Sequence, residues 1–310
     1  MPELAARLRG VVPPLVTPLD ADGEVDVASL RRLLAVQLSA GVQGVFLGGS
    51  TGEVALLDTE QRRTAAAVAV SEVAGAVPVL VGAVDTGTRR VIEQARGAQA
   101  LGADAVVVTA PFYVHPHPEE IVQHYRLVHA AIDLPVVGYD IPSAVGARLT
   151  PEVVATLARE RLVVALKDSS GDLAGFRETL RRVPAEFPVL TGSELVADMA
   201  VQLGAAGLVP GLGNVDPDGY LRLWHAVRTG DLASAAAEQN RLARLYSITQ
   251  IPDRRRIGET AAALGAFKAA MALRGIIAHG RTNLPLLPLD DTEVKSIAEV
   301  LDELELGRVD

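Results

Sequence analysis

The chain contains no cysteine, which excludes disulfides, thiolate metal sites and a thiol nucleophile. Aromatic residues make up 4% of it, so a core has to be assembled from Val, Leu, Ile and Ala. No uninterrupted apolar run reaches the roughly 18 residues of a membrane-spanning helix, and the first nine residues lack the basic-then-apolar order of a signal peptide. No strand-like run leads into Gly-x-Gly-x-x-Gly, which removes the dinucleotide fingerprint. Lysine is rare, with three among 29 basic residues. The net charge of −9 repels phosphate backbones and anionic lipid, so neither a nucleic acid nor a membrane is expected as a partner. That holds also for the one dense basic run, Arg254-Arg255-Arg256, which reads as the solvated start of a helix or an oligomer contact. The expectation is a soluble, cytoplasmic protein.

What is present is core-forming material, 49% hydrophobic against 22% charged, over 310 residues with no linker-like stretch. Short, nearly continuous apolar runs fall at 11–17, 44–47, 77–82, 105–109, 136–139, 163–167, 189–191 and 207–209. Runs of that kind suit parallel strands buried on both faces. Between them lie helical stretches such as 27–40, 59–74, 88–101 and 118–131. Their starts carry caps: Asp26, Asp58 followed by Glu60 and Gln61, and Thr150 before Pro151. Gly41, Gly102 and Gly204 each stand between a helical stretch and a strand, where a left-handed turn is needed. Eight such units predict a (β/α)8 TIM barrel over 1–230. About three additional C-terminal helices, at 231–248, 257–273 and 291–304, form an extension over 231–310 packed on the barrel as one structural unit. An open, doubly wound sheet is the alternative.

In such barrels the reacting groups sit at the C-terminal ends of strands. Lys167 ends the run Leu162-Val163-Val164-Ala165-Leu166, and strand alternation points Ala165 and Lys167 to the same side, into the barrel mouth. Apolar walls disfavour an ammonium, and the neutral amine they favour is a nucleophile toward a ketone. The alternative is a structural lysine paired with Asp168 or Glu194. Lys268 and Lys295, on C-terminal helices, read as solvated. Tyr139 ends the neighbouring strand as a proton shuttle or as a tyrosine bridging core and solvent. The loop Gly48-Gly49-Ser50-Thr51-Gly52-Glu53 offers backbone N–H groups and hydroxyls for a carboxylate, or is a tight capped turn. No Lys follows its glycines, so it is not a Walker loop. His115-Pro116-His117 reads as a loop rather than a metal site. Gly211-Leu212-Gly213-Asn214 stands where many barrels bind phosphate, or is a close-packed turn. Tyr113 is a surface aromatic, a lid, or a contact across a subunit boundary.

These residues, in this order and spacing, resemble the dihydrodipicolinate synthase and N-acetylneuraminate lyase family over essentially the whole chain. The motifs are Pro14-Leu15-Val16-Thr17-Pro18-Leu19, Gly49-Ser50-Thr51-Gly52-Glu53, Ala110-Pro111-Phe112-Tyr113, Gly138-Tyr139-Asp140-Ile141-Pro142 and Leu166-Lys167-Asp168-Ser169-Ser170-Gly171-Asp172. The resemblance implies a class I lyase in which Lys167 forms a Schiff base with pyruvate or a related 2-keto acid. Tyr139 would be its proton shuttle, Ser50 a relay hydroxyl, and Tyr113 the hydroxyl that completes the relay from a neighbouring subunit of a dimer or tetramer. Gly49, Ser50 and Thr51 would hold the keto-acid carboxylate, with Gly192, Val209 and Glu194 lining the substrate site. No metal or other cofactor is implied.

The pattern departs in one place that bears on the second substrate. The synthases of lysine biosynthesis carry an arginine two positions after the proline of Tyr-Asn-x-Pro. Here Ala144 stands there, the Asn is Asp140, and Arg148 lies four residues further on. Loss of a bidentate carboxylate clamp is not a conservative change. Together with Ser50, in place of the usual Thr, and Glu194, it favours a hydroxylated 2-keto (sugar) acid and its aldehyde. The alternatives are 4-hydroxy-tetrahydrodipicolinate synthase, condensing pyruvate with aspartate semialdehyde, and a non-catalytic keto-acid-binding barrel.

Overall fold

Residues 2–309 are described in a computed structural model. Its eight strands are β1 (Gly10–Val11), β2 (Val45–Leu47), β3 (Val79–Gly82), β4 (Ala105–Thr109), β5 (Val136–Asp140), β6 (Ala165–Asp168), β7 (Val189–Thr191) and β8 (Gly207–Leu208). They pair in parallel in the order β1-β8-β7-β6-β5-β4-β3-β2. An isolated parallel bridge between Pro14 and Phe46 links β1 back to β2, giving the closed order of a (β/α)8 barrel. The first strand is much shorter than the run at 11–17 because Pro13 and Pro14 have no N–H to extend the ladder. Asn214 partly replaces the missing bonds: its Nδ2 donates to Pro14 O at 2.8 Å and its Oδ1 accepts from Val16 N at 3.0 Å.

The helices are α1 (Pro2–Arg7), α2 (Val27–Ala40), α3 (Thr59–Val73), α4 (Thr88–Leu101), α5 (Pro118–His129), α6 (Pro142–Val145), α7 (Pro151–Arg159), α8 (Leu173–Arg182), α9 (Ala197–Leu203), α10 (Pro217–Thr229), α11 (Leu232–Tyr246), α12 (Glu259–Leu273) and α13 (Asp291–Glu303). The caps read from sequence are in place. Asp26 accepts from Ser29 N, Asp58 forms a capping box with Gln61, Thr150 accepts from Val153 N, and Gly41, Gly102 and Gly204 adopt the left-handed turn. His117 also caps, its ring accepting from Glu119 N at the start of α5, which ties the His115–His117 segment to a helix entry. Arg254–Arg256 form the turn before α12, with Arg255 on Asp253 and Arg256 on Glu293.

Side-chain alternation sorts the strands into two cores. Val45, Leu47, Val106, Val108, Leu166 and Val189 face the helices. Phe46, Leu80, Ala105, Val107, Val137, Tyr139, Ala165 and Leu190 fill the barrel itself, and Leu4 and Leu8 join them from the N-terminal segment. Helix α1 was not legible as a helix; its Leu4, with Leu8 just beyond it, plugs the end opposite the site. No helix among the described residues is long and apolar enough to cross a membrane.

Candidate active site

Strand pairing places Tyr139 directly beside Lys167, and Asp140 beside Asp168, at the C-terminal ends of β5 and β6. Lys167 is 5% exposed. Its Nζ lies 4.0 Å from the Tyr139 ring centroid and 5.0 Å from that of Phe46, with the two rings edge-to-face at 6.2 Å. Among the described residues Lys167 makes no salt bridge, so neither Asp168 nor Glu194 neutralises it by direct pairing. The lysine is thus a buried amine on an aromatic floor, beside a phenol. The Tyr139 hydroxyl is 3.4 Å from Ser50 Oγ, which the loop after β2 brings over the mouth.

Close packing sets that loop. Gly48 has φ +65°, in the left-handed region, and a side-chain carbon on Gly49 would sit 2.7 Å from the Phe46 ring. The loop therefore lies directly on the aromatic floor, and Ser50 and Thr51 face the mouth from there. Thr51 Oγ1 and Glu194 Oε2 converge: each lies 3.3 Å from where a side-chain carbon on Gly211 would be. The Gly211–Asn214 segment is a buried 3-10 turn. Glu194 is fixed by Leu212 N–H and the Tyr220 hydroxyl, both donating to its Oε1 at 2.7 and 2.9 Å. Gln239 of α11 donates to the Glu194 carbonyl at 2.9 Å. Burial pushes the Glu194 carboxyl above its ordinary range, against the opposing pull of those hydrogen bonds and the Lys167 charge.

Gly192 borders the lysine itself. A side-chain carbon there would come 3.4 Å from Lys167 Cε and 2.1 Å from Ser169 Oγ. Gly192→Ala is accordingly expected to turn Ser169 away and narrow the space over the amine, raising half-saturation by keto acid about tenfold with little loss of fold. Titration of the variant with pyruvate checks this; unchanged half-saturation means the space is not used. Val209, buried, lies lower on the barrel wall around a small apolar cavity that also touches Lys167.

Tyr113 is not brought to the others. It is 93% exposed, has φ +71°, and makes no hydrogen bond to Tyr139 or Ser50 among the described residues. A bulky residue at positive φ is costly and persists where its surroundings demand it.

Lys268 corrects the sequence reading. It is not solvated but 0% exposed, paired with Glu53 of the 48–53 loop. Helix α12 is buried nearly all round by small and apolar residues, so its pattern had no polar face to show. Lys295 is exposed as expected. Sequence reasoning also missed Phe46, Ser169, Tyr220 and Gln239. For Phe46 a signal existed, since strand alternation places it inside.

Arg148, at the mouth beside β5, is engaged by acids. Its Nε donates to Asp140 Oδ2 at 3.0 Å, and Asp172 lies 3.9 Å from its other arm. Asp140 is buried, accepts Leu149 N–H at 2.9 Å, and like Asp168 is pushed up by burial. Among the described residues no group of three or more His, Asp or Glu is placed to hold a metal ion.

A model of the dihydrodipicolinate synthetase family matches residues 7–304, and the chain belongs to that family. It is a lyase. A 4-hydroxy-tetrahydrodipicolinate synthase of Phocaeicola vulgatus is 31% identical over 304 residues, covering 98% of this chain and 99% of that protein. A DapA-like lyase of Halobacterium salinarum, described as uncharacterized, is 36% identical over 299 residues, covering 96% and 95%. Among solved structures, the prophage protein YagE of E. coli K12, of the dihydrodipicolinic acid synthase family and in complex with pyruvate, superposes with a TM-score of 0.89 at 31% identity, covering 96% of this chain and 99% of that one. The dihydrodipicolinate synthase of Acinetobacter baumannii, also complexed with pyruvate, does so at 0.87 and 26% identity, covering 96% and 99%.

Proposed function

We propose that Lys167 forms a Schiff base with pyruvate or a related 2-keto acid, and that the enzyme cleaves or condenses a hydroxylated 2-keto (sugar) acid. The observation that carries this is the buried Lys167 amine against Tyr139, whose hydroxyl reaches Ser50. The amine adds to the ketone, water leaves, and the resulting cationic imine accepts the electron pair of the bond broken at C3. Tyr139 and Ser50 are the groups that give a proton to the carbinolamine oxygen as it departs as water, take the proton of the C4 hydroxyl as the aldehyde leaves, and return a proton to C3. Gly49, Ser50 and Thr51 would take the keto-acid carboxylate through N–H and hydroxyl donors. The pyruvate complexes of two structural neighbours support a keto acid as first substrate.

The charge around the mouth supports a neutral, hydroxylated partner. Ala144 leaves no clamp, Arg148 is already shared between Asp140 and Asp172, and Asp168 adds a further acid beside it. A second carboxylate would meet this acidic wall, whereas sugar hydroxyls could donate to Glu194 Oε2. The competing reading, 4-hydroxy-tetrahydrodipicolinate synthase, is favoured by the names of several relatives. Borohydride trapping with pyruvate, followed by peptide mapping, tests the imine. Pyruvate release from 2-keto-3-deoxy sugar acids, set against consumption of aspartate semialdehyde, then separates the two readings.

Tyr139→Phe is expected to lower turnover about 100-fold with less change in keto-acid half-saturation, the pattern of a lost proton donor. An unchanged turnover number would remove Tyr139 from the proton path. We also propose a homo-oligomer in which Tyr113 is delivered to a neighbouring copy's site. Its full exposure, its strained backbone and the adjoining exposed Val114 support that role.

A further inference from the structure

We propose that the buried Lys268–Glu53 ion pair is a positioning device that holds the 48–53 loop in register, making the C-terminal extension a working part of the active site. This rests on the reading of that loop as the keto-acid carboxylate site.

Both side chains are fully buried. Lys268 Nζ also donates to Arg281 O at 2.8 Å, and Glu53 Oε2 accepts Asn283 N–H at 2.6 Å. Asn283 continues the chain of contacts, its Nδ2 donating to Leu56 O at 3.1 Å and reaching Gln61 Oε1 at 3.3 Å. One helix and one loop of the extension thus grip the segment that follows β2. Glu53 itself sits at φ +62°, and its N–H donates to Ser50 O at 3.1 Å, so its side chain and the Ser50 backbone move together. Phe267, next to Lys268, brings its ring to Gly211, where Thr51 and Glu194 converge. Helix α12 therefore supports the site at two points.

Stability alone does not explain an ion pair at this position. Well-packed apolar residues commonly serve a buried site as well as a charge pair does, because both charges must be stripped of water. What a charge pair adds is one permitted geometry: Glu53 has a low-energy position only where the ammonium and the Asn283 N–H both meet it. That is the property a loop carrying Ser50 and Thr51 needs, since small misplacements of binding groups cost large factors in function.

The test uses the full chain with Lys268→Met and Glu53→Gln combined, which removes both charges and strands neither. Thermal midpoint, the fraction of Lys167 trapped by borohydride as pyruvate is varied, and amide exchange of residues 50–54 are measured side by side. The double variant is expected to stay folded and reach the wild-type trapping plateau, with half-saturating pyruvate raised about tenfold and loop exchange faster by about the same factor while β6 is unchanged. Wild-type half-saturation and wild-type loop exchange in the folded variant would overturn the proposal. Should the double variant not fold, Asn283→Ala loosens the same clamp from the outside. A rise of about threefold in half-saturation is then expected, and no rise counts against the device. If the wild-type protein itself forms no pyruvate adduct, the imine reading fails, and loop exchange in the variants still decides whether the pair pins the loop.

Discussion

Lys167→Ala is expected to reduce turnover by about 10⁴-fold or more and to abolish the borohydride adduct, while the barrel remains folded. The two other lysines cannot substitute: Lys268 is buried against Glu53, and Lys295 is exposed on α13. The size of the effect follows from the chemistry, because without the imine there is no electron sink for the carbanion that forms at C3. The fold should tolerate the change. Lys167 has no direct salt-bridge partner among the described residues, and Glu194, which feels its charge, keeps its hydrogen bonds from Leu212 N–H and the Tyr220 hydroxyl. Lys167→Met, which keeps the volume between Phe46 and Tyr139, is the control for packing. Intact mass after trapping, turnover and thermal midpoint on both variants check the prediction. Substantial turnover or an adduct at another residue would end the imine reading.

The protein is expected to lose stability on mild acidification through His124. This residue of α5 is 2% exposed, its Nδ1 lies 2.9 Å from Thr88 Oγ1, and its Nε2 has no hydrogen-bond partner among the described residues. Burial lowers its pKa from 6.5 to about 4. In the unfolded chain the imidazole takes up a proton as pH falls through 6.5, whereas the folded protein resists until about 4. Its contribution is therefore complete above pH 6.5 and is lost on the way down to about pH 4, amounting to about 3 kcal/mol. Asp140, Asp168 and Glu194, raised by burial, act in the opposite sense, since the folded state holds their protons more tightly. The informative quantity is thus the difference between wild type and His124→Asn. In urea unfolding at neutral pH and at pH 4.5, the wild type should lose about 2–3 kcal/mol relative to the variant. A difference that does not change with pH would show that this imidazole titrates as it does in the unfolded chain.

Much of the architecture was readable because local rules and global fold agree. Apolar runs such as 105–109 and 189–191 became strands with the same limits, and the caps at Asp26, Asp58 and Thr150 started helices where short polar side chains meet free N–H groups. Strand alternation sufficed to turn Lys167 and Ala165 inward. β1 was overestimated because hydrophobicity does not register that Pro13 and Pro14 cannot donate to a ladder.

The sequence by itself determined the succession of strands and helices and the strand ends that carry Lys167 and Tyr139, since period, capping and chain order are local properties. Only the tertiary structure decided which distant groups meet. It took Lys268 out of the solvent and set it against Glu53, placed Tyr220 and Gln239 around Glu194, engaged Arg148 with Asp140, and left Tyr113 exposed and apart from Tyr139 and Ser50. Those pairings join residues far apart in the chain, and an Ala-rich helix such as α12, buried nearly all round, has almost no periodic signal to say that its lysine is inside. Their geometry is set by how helices and loops dock on the barrel, and no stretch of local sequence encodes that on its own.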